Sequence, residues 1–203
     1  MPIYRAHVGR PTRRSIYGPS PHAPVALPGL GELKAELGQW LANARKVAVV
    51  GIGSRLRRDD AVGLVVLEKL KRLRPHGIEG VELVEAGSAP ENILGKLASL
   101  KPSHVILIDA AAHGSRPGSV RLVRPEEARS AHIITTHTLP LSFLCSYIKR
   151  ETGAEVLIIG VQPLDLGLGE GLSPDLELAA ENLANSLLEV LSTWAGKHST
   201  YIG

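Results

Sequence analysis

The octapeptide His104–Ala111, HVILIDAA, is apolar at successive positions rather than alternate ones. A strand with one solvent face alternates, so an unbroken run implies burial on both faces, as in a parallel sheet covered by helices on either side. A second run, Val47–Ile52, has the same character and passes into a loop, GSRLRR, that ends in two adjacent carboxylates, Asp59 and Asp60. In open parallel sheets ligands gather outside the carboxyl ends of the strands, so both run ends mark a site.

The remaining pattern agrees with an α/β chain. Strands are expected at Lys46–Gly51, Val81–Glu85, His104–Ile108 and Ala154–Gly160, and Ser119–Val123 alternates, as an antiparallel edge strand does. Amphipathic helices are expected at Leu30–Asn43, from about Asp60 to Leu73, at Asn92–Leu100, at Leu139–Arg150 and at Pro174–Trp194, the last with Ser173 as its N-cap. The segment Ile133–His137 leads into the fourth of these helices. The expected fold is α/β: a three-layer α/β/α sandwich, phosphorylase/hydrolase-like, around a mostly parallel five-stranded sheet. Residues 1–30 are rich in proline, glycine and arginine and read as an extended or disordered basic arm, leaving residues 31–203 as one α/β/α domain.

Asp60, Asp109 and His137 are distant in sequence, yet each falls at or just after the carboxyl end of a strand or in the loop that follows. Two carboxylates and an imidazole on one rim suit a divalent transition metal with open coordination positions. Each residue also has an ordinary reading. Asp109 is able to cap a turn, Asp59 or Asp60 to cap a helix, and His137 to bond a loop; only their combination points to chemistry.

Composition narrows the alternatives. The net charge is +3 but aromatic residues are 3%, too few for a base-stacking surface, so nucleic acid is not an expected partner. The GIG turn lacks the third glycine of a dinucleotide loop, and Asp59-Asp60 would repel a pyrophosphate. The single cysteine, Cys145, excludes an internal disulfide and suits a reducing, cytoplasmic setting. No apolar run reaches the ~18 residues of a membrane span, so membrane insertion is not expected.

Read together, GIGSRLRRDDAVG, AGSAPEN, LIDAA, TTHTLPLSFL and GVQP, in this order, resemble the hydrogenase maturation endopeptidases. The GSAPEN, TTH and G-x-QP pieces are most similar to the branch serving formate-hydrogenlyase-type enzymes, and the resemblance runs from about residue 46 to 194. It implies an endopeptidase that removes the C-terminal extension of the nickel–iron hydrogenase large-subunit precursor after nickel insertion. It further implies a catalytic and metal-contacting trio of Asp60, Asp109 and His137. Nickel would come with the precursor, and no permanently bound cofactor is expected. Whether the metal activates water or Asp60 acts as general base stays open here.

Ser54 and Ala61 stand where the family commonly has asparagine and glycine. Ser54, Arg57, Arg58, Gly87 and Gln162 are candidates for substrate contact: the arginines by gripping the precursor's tail unless simply solvated, Gly87 and Gln162 by shaping the cleft floor. Two rivals use the same residues differently. One is a non-catalytic nickel- and precursor-binding factor, the other a thiol peptidase employing Cys145, which otherwise reads as a small buried hydrophobe.

Overall fold

The computed structural model describes residues 30–127 and 140–199. The N-terminal arm, the Ile133–His137 segment and His137 itself lie outside the described residues.

Five strands form one sheet in the order β2-β1-β3-β5-β4. They are β1 Val47–Ile52, β2 Val81–Gly87, β3 His104–Ala110, β4 Val120–Val123 and β5 Glu155–Val161. Every pairing is parallel except β4 with β5. All residues of β1 and β3 are buried, as their unbroken apolar runs predict, whereas β2 on the edge is largely accessible. The antiparallel edge strand lies where its alternating sequence placed it.

Successive side chains of each central strand serve opposite faces. Val47 and Val49 of β1, Ile106 and Ile108 of β3, and Leu157 and Ile159 of β5 pack with helices α1 (Leu30–Trp40), α2 (Val62–Leu73) and α5 (Pro174–Ser199). Their neighbours Ala48, Val50, Val105, Leu107, Val156 and Ile158 pack with α3 (Leu94–Leu100) and α4 (Leu141–Thr152). The result is the three-layer sandwich. Among the described residues, no helix is long and apolar enough to cross a membrane.

Several boundaries differ from the sequence expectation, and one difference bears on the site. β3 continues through Asp109, which pairs with Gly160 of β5, so this carboxylate is the penultimate residue of the strand rather than part of the following loop. Asp60 belongs to a 3-10 turn, Arg58–Ala61, that precedes α2. The side chain of Ser173 makes no cap either: its hydroxyl donates to Asp59, and only its backbone carbonyl receives the first helical amides, those of Leu176 and Glu177.

Candidate active site at the carboxyl edge of the sheet

The chain runs from β1 to β2 on one side and later returns to β3 on the other, so the sheet order reverses between β1 and β3. At such a switch point the loops diverge and leave a crevice above the strand ends. Asp60 follows β1 and Asp109 is the penultimate residue of β3, so the two carboxylates belong to the two sides, or walls, of this switch point. Asp60 is 1% and Asp109 0% exposed, and little water screens their charge.

Glycines bring these walls together. A Cβ at Gly63 would lie 2.3 Å from the Ile108 carbonyl oxygen and 2.6 Å from that of Ile52, so the first turn of α2 rests directly on the ends of β1 and β3. A Cβ at Gly51 would meet the Gly63 carbonyl at 2.5 Å, and one at Gly53 the Asp60 carbonyl at 1.7 Å. Gly53 has φ +132°, which other residues rarely adopt. The G-x-G turn therefore serves close backbone approach, and no phosphate is needed to explain it. Ala61 has φ −75°, a right-handed conformation open to any residue, so the alanine found here is accommodated.

The two neighbouring acids have separate tasks. Asp59 is fully buried and accepts the backbone N–H groups of Leu164 (2.9 Å), Asp165 (2.8 Å) and Ser173 (2.7 Å) as well as the Ser173 hydroxyl (3.0 Å). It fastens the start of α2 to the loop between β5 and α5. Asp60 accepts the Ser54 N–H at 2.7 Å, a charge-assisted bond that holds its carboxylate over the β1 turn. Ser54 reaches Asp60 through its backbone, while its hydroxyl takes a long bond, 3.4 Å, from the Leu56 N–H. An asparagine side chain is thus not required to hold Asp60.

The arginines brace the same turn. The Arg57 guanidinium donates to the Leu166 carbonyl at 3.1 Å, and Arg58 lies 3.3 Å from the Asp165 carboxylate. Arg58 has φ +45°, a left-handed conformation that costs an L-residue about 1–2 kcal/mol. Its N–H donates to the Gly169 carbonyl at 2.9 Å, and the Gly169 N–H donates to Leu56 at 3.0 Å, which holds the turn in that shape. Arg55 reaches Glu68 at 3.2 Å and Glu85 at 3.7 Å on the opposite side. The hydrogen bond from Lys71, with Arg55 adding to it, holds the Glu85 carboxyl below its ordinary range.

Gln162 and Gly87 both bond to backbone amides of neighbouring loops. Gln162 Oε1 accepts the N–H groups of His113 (2.8 Å) and Ser115 (3.3 Å), fixing the loop that follows Asp109 and β3. Gly87, at φ +65°, offers its carbonyl to the Gly53 N–H at 3.0 Å. Cys145 is 1% exposed on α4, and burial pushes its thiol up to about 12, so it carries no thiolate at neutral pH. That is the environment of a packing residue. The GIGSRLRRDDAVG motif includes Gly63 without showing which atoms it must admit, and sequence reasoning missed the structural task of Asp59, whose partners lie more than a hundred residues away.

The HycI profile, described as hydrogenase maturation protease, matches residues 64–190, a span that begins just past Asp60 and contains Asp109 and His137. A Methanocaldococcus jannaschii relative, provisionally named a hydrogenase maturation protease, is 33% identical over 164 residues, 78% of this chain and 96% of its own. The hydrogenase 3 maturation protease of Escherichia coli is 29% identical over 145 residues, 71% of this chain and 88% of the relative. The crystal structure of the [NiFe] hydrogenase maturation protease HycI from Thermococcus kodakarensis superimposes with a TM-score of 0.70 at 35% identity. It covers 77% of this chain and 98% of that one.

Proposed function

Because the chain belongs to the hydrogenase maturation protease family, we propose that it removes the C-terminal extension of a nickel–iron hydrogenase large-subunit precursor once nickel has been inserted, recognising the nickel the precursor carries. Two observations support this reading: Asp60 and Asp109 are both buried at the carboxyl ends of the neighbouring strands β1 and β3, and the Ser54 amide holds Asp60. His137 is the third member by family resemblance. Carboxylate and imidazole are ligands that suit nickel.

The substrate's nickel would meet the two carboxylates and the imidazole through its open coordination positions. As a Lewis acid it would polarise the scissile carbonyl or the attacking water. This chain's residues supply the orientation. The Ser54 N–H fixes one oxygen of Asp60, the α2 turn sets its height above β3, and the pairing of Asp109 with Gly160 fixes the opposite wall. Buried charges keep their full strength toward a cation that reaches them. A precursor lacking nickel offers no such cation, which ties cleavage to completed metal insertion.

The reading is tested by incubating nickel-loaded precursor with the wild-type protein and with Asp60→Asn, Asp109→Asn and His137→Ala, following the C-terminal peptide by mass. Wild type is expected to release the peptide and each variant to lose at least 10³-fold in rate, about 4 kcal/mol of transition-state stabilisation. A variant that cleaves at the wild-type rate removes its residue from the proposed trio.

A further inference from the structure

On the rim beside Asp60, three leucines face solvent: Leu56 is 63%, Leu164 59% and Leu168 83% exposed. Resting on the reading of the protein as a protease for a folded precursor, the geometry points to these leucines as the docking surface for an apolar segment of that precursor flanking the bond to be cut.

The leucines share one rigid frame. The Gly169 N–H donates to the Leu56 carbonyl, and the Arg58 N–H to that of Gly169, so the β1–α2 and β5–α5 loops are zipped together backbone to backbone. Asp59 holds the Leu164 amide at 2.9 Å. Leu164, Leu168 and Leu56 therefore stand on the same scaffold that carries Asp60.

Nothing in this scaffold forces leucine to be there. The bonds that close it are backbone bonds, which serine or threonine would make equally well. Exposed leucines held on one fixed frame suit the buried core of a protein–protein interface, where apolar anchors meet complementary pockets. Of the two neighbouring arginines, Arg58 is paired with Asp165, while Arg57 is tethered to the Leu166 carbonyl. The frame is continuous with the Asp60 turn, through the Asp59–Leu164 bond and the Asp60 N–H to Arg57 carbonyl bond, so a precursor brought to Asp60 lies beside it and is the occupant. A second copy of this chain is an outcome the test distinguishes.

The test is steady-state cleavage of nickel-loaded precursor by wild type, Leu168→Ser and the double variant Leu56→Ser/Leu168→Ser, with Leu73→Ser as control. Leu73 is 41% exposed at the far end of α2, remote from Asp60. Affinity is measured in parallel with immobilised precursor, and self-association by sedimentation. Leu168→Ser is expected to raise KM and Kd about tenfold, the loss of one well-buried leucine anchor, with kcat within about twofold. The double variant is expected to go further and the control to match wild type. Unchanged KM and Kd overturn the proposal, as does an effect confined to self-association. If the wild type binds precursor without cutting it, the protease reading fails on its own, and weakened binding by Leu168→Ser still supports the surface. If the wild type neither binds nor cuts, both fall.

Discussion

Substituting alanine for Gly63 tests the packing that brings the two carboxylates together. The new Cβ would sit 2.3 Å from the Ile108 carbonyl oxygen, 2.6 Å from the Ile52 carbonyl oxygen and 2.8 Å from the Ile52 amide nitrogen. All three are backbone atoms of buried strands, and no flexible side chain is there to yield. Ordinary contacts to a methyl group need well over 3 Å, so the α2 turn must lift by about 1 Å. Overpacking of this kind costs about 1–3 kcal/mol, offset in part by the roughly 1 kcal/mol helix preference of alanine over glycine. A net loss of up to about 2 kcal/mol corresponds to a fall of up to roughly 8 °C in Tm for a domain of this size. The larger effect is catalytic. Lifting the turn carries Asp60 away from Asp109, and a 1 Å misplacement is worth about 10²-fold in rate. Thermal unfolding and precursor cleavage on the same preparation give both readouts. A Gly63→Ala protein with wild-type Tm and cleavage rate would refute the close-packed turn as the device that sets the site.

Other perturbations separate structural from chemical roles. Asp59→Ala strands the Leu164, Asp165 and Ser173 amides, and denaturant unfolding should show a loss of roughly 3–5 kcal/mol. Asp60→Asn should leave Tm within about 4 °C, because the amide oxygen still accepts the Ser54 N–H, an exchange worth only about 1 kcal/mol. Cys145→Ala should keep full cleavage, since the thiol is buried and protonated; loss of activity with an intact fold would restore the thiol mechanism. His104 is buried against the edge of the Trp40 ring, and burial lowers its imidazole from the ordinary value. The unfolded chain then takes up the proton first, so this stabilisation is present above about pH 6.5 and is lost as pH falls through the folded-state value. Melting from pH 7.5 to 5 should show a steeper decline for wild type than for His104→Phe, and equal slopes would contradict the burial effect.

The fold was readable because its signals are periodic. Unbroken apolar runs marked β1 and β3 as doubly covered, and alternation marked β4 as an edge. Asp60 and Asp109 were readable because strand ends in a parallel sheet converge on one edge. What stayed hidden depends on partners far along the chain. Asp59 and Asp60 are adjacent and chemically identical, and only contacts more than a hundred residues away assign Asp59 to the β5–α5 loop. Ser173 stands before α5 as expected, but its hydroxyl is turned to the Asp59 carboxylate and the helix amides of Leu176 and Glu177 bond its backbone carbonyl instead. Charge alone left Arg57 and Arg58 between a substrate grip and a solvated loop, the latter favoured, and their geometry turns both toward the neighbouring loop. The exposed leucines had no signal, because exposure is a property of the assembled surface.

The central claim is that Asp60, Asp109 and His137 engage nickel carried by the precursor and that this contact licenses cleavage. Intact-mass measurement of one precursor preparation, divided into nickel-loaded and nickel-free halves and incubated with the wild-type protein, tests it directly. The expected result is loss of a C-terminal peptide from the loaded half alone, abolished by Asp60→Asn. Equal cleavage of both halves would contradict nickel recognition, and an unchanged mass in the loaded half would contradict C-terminal processing itself.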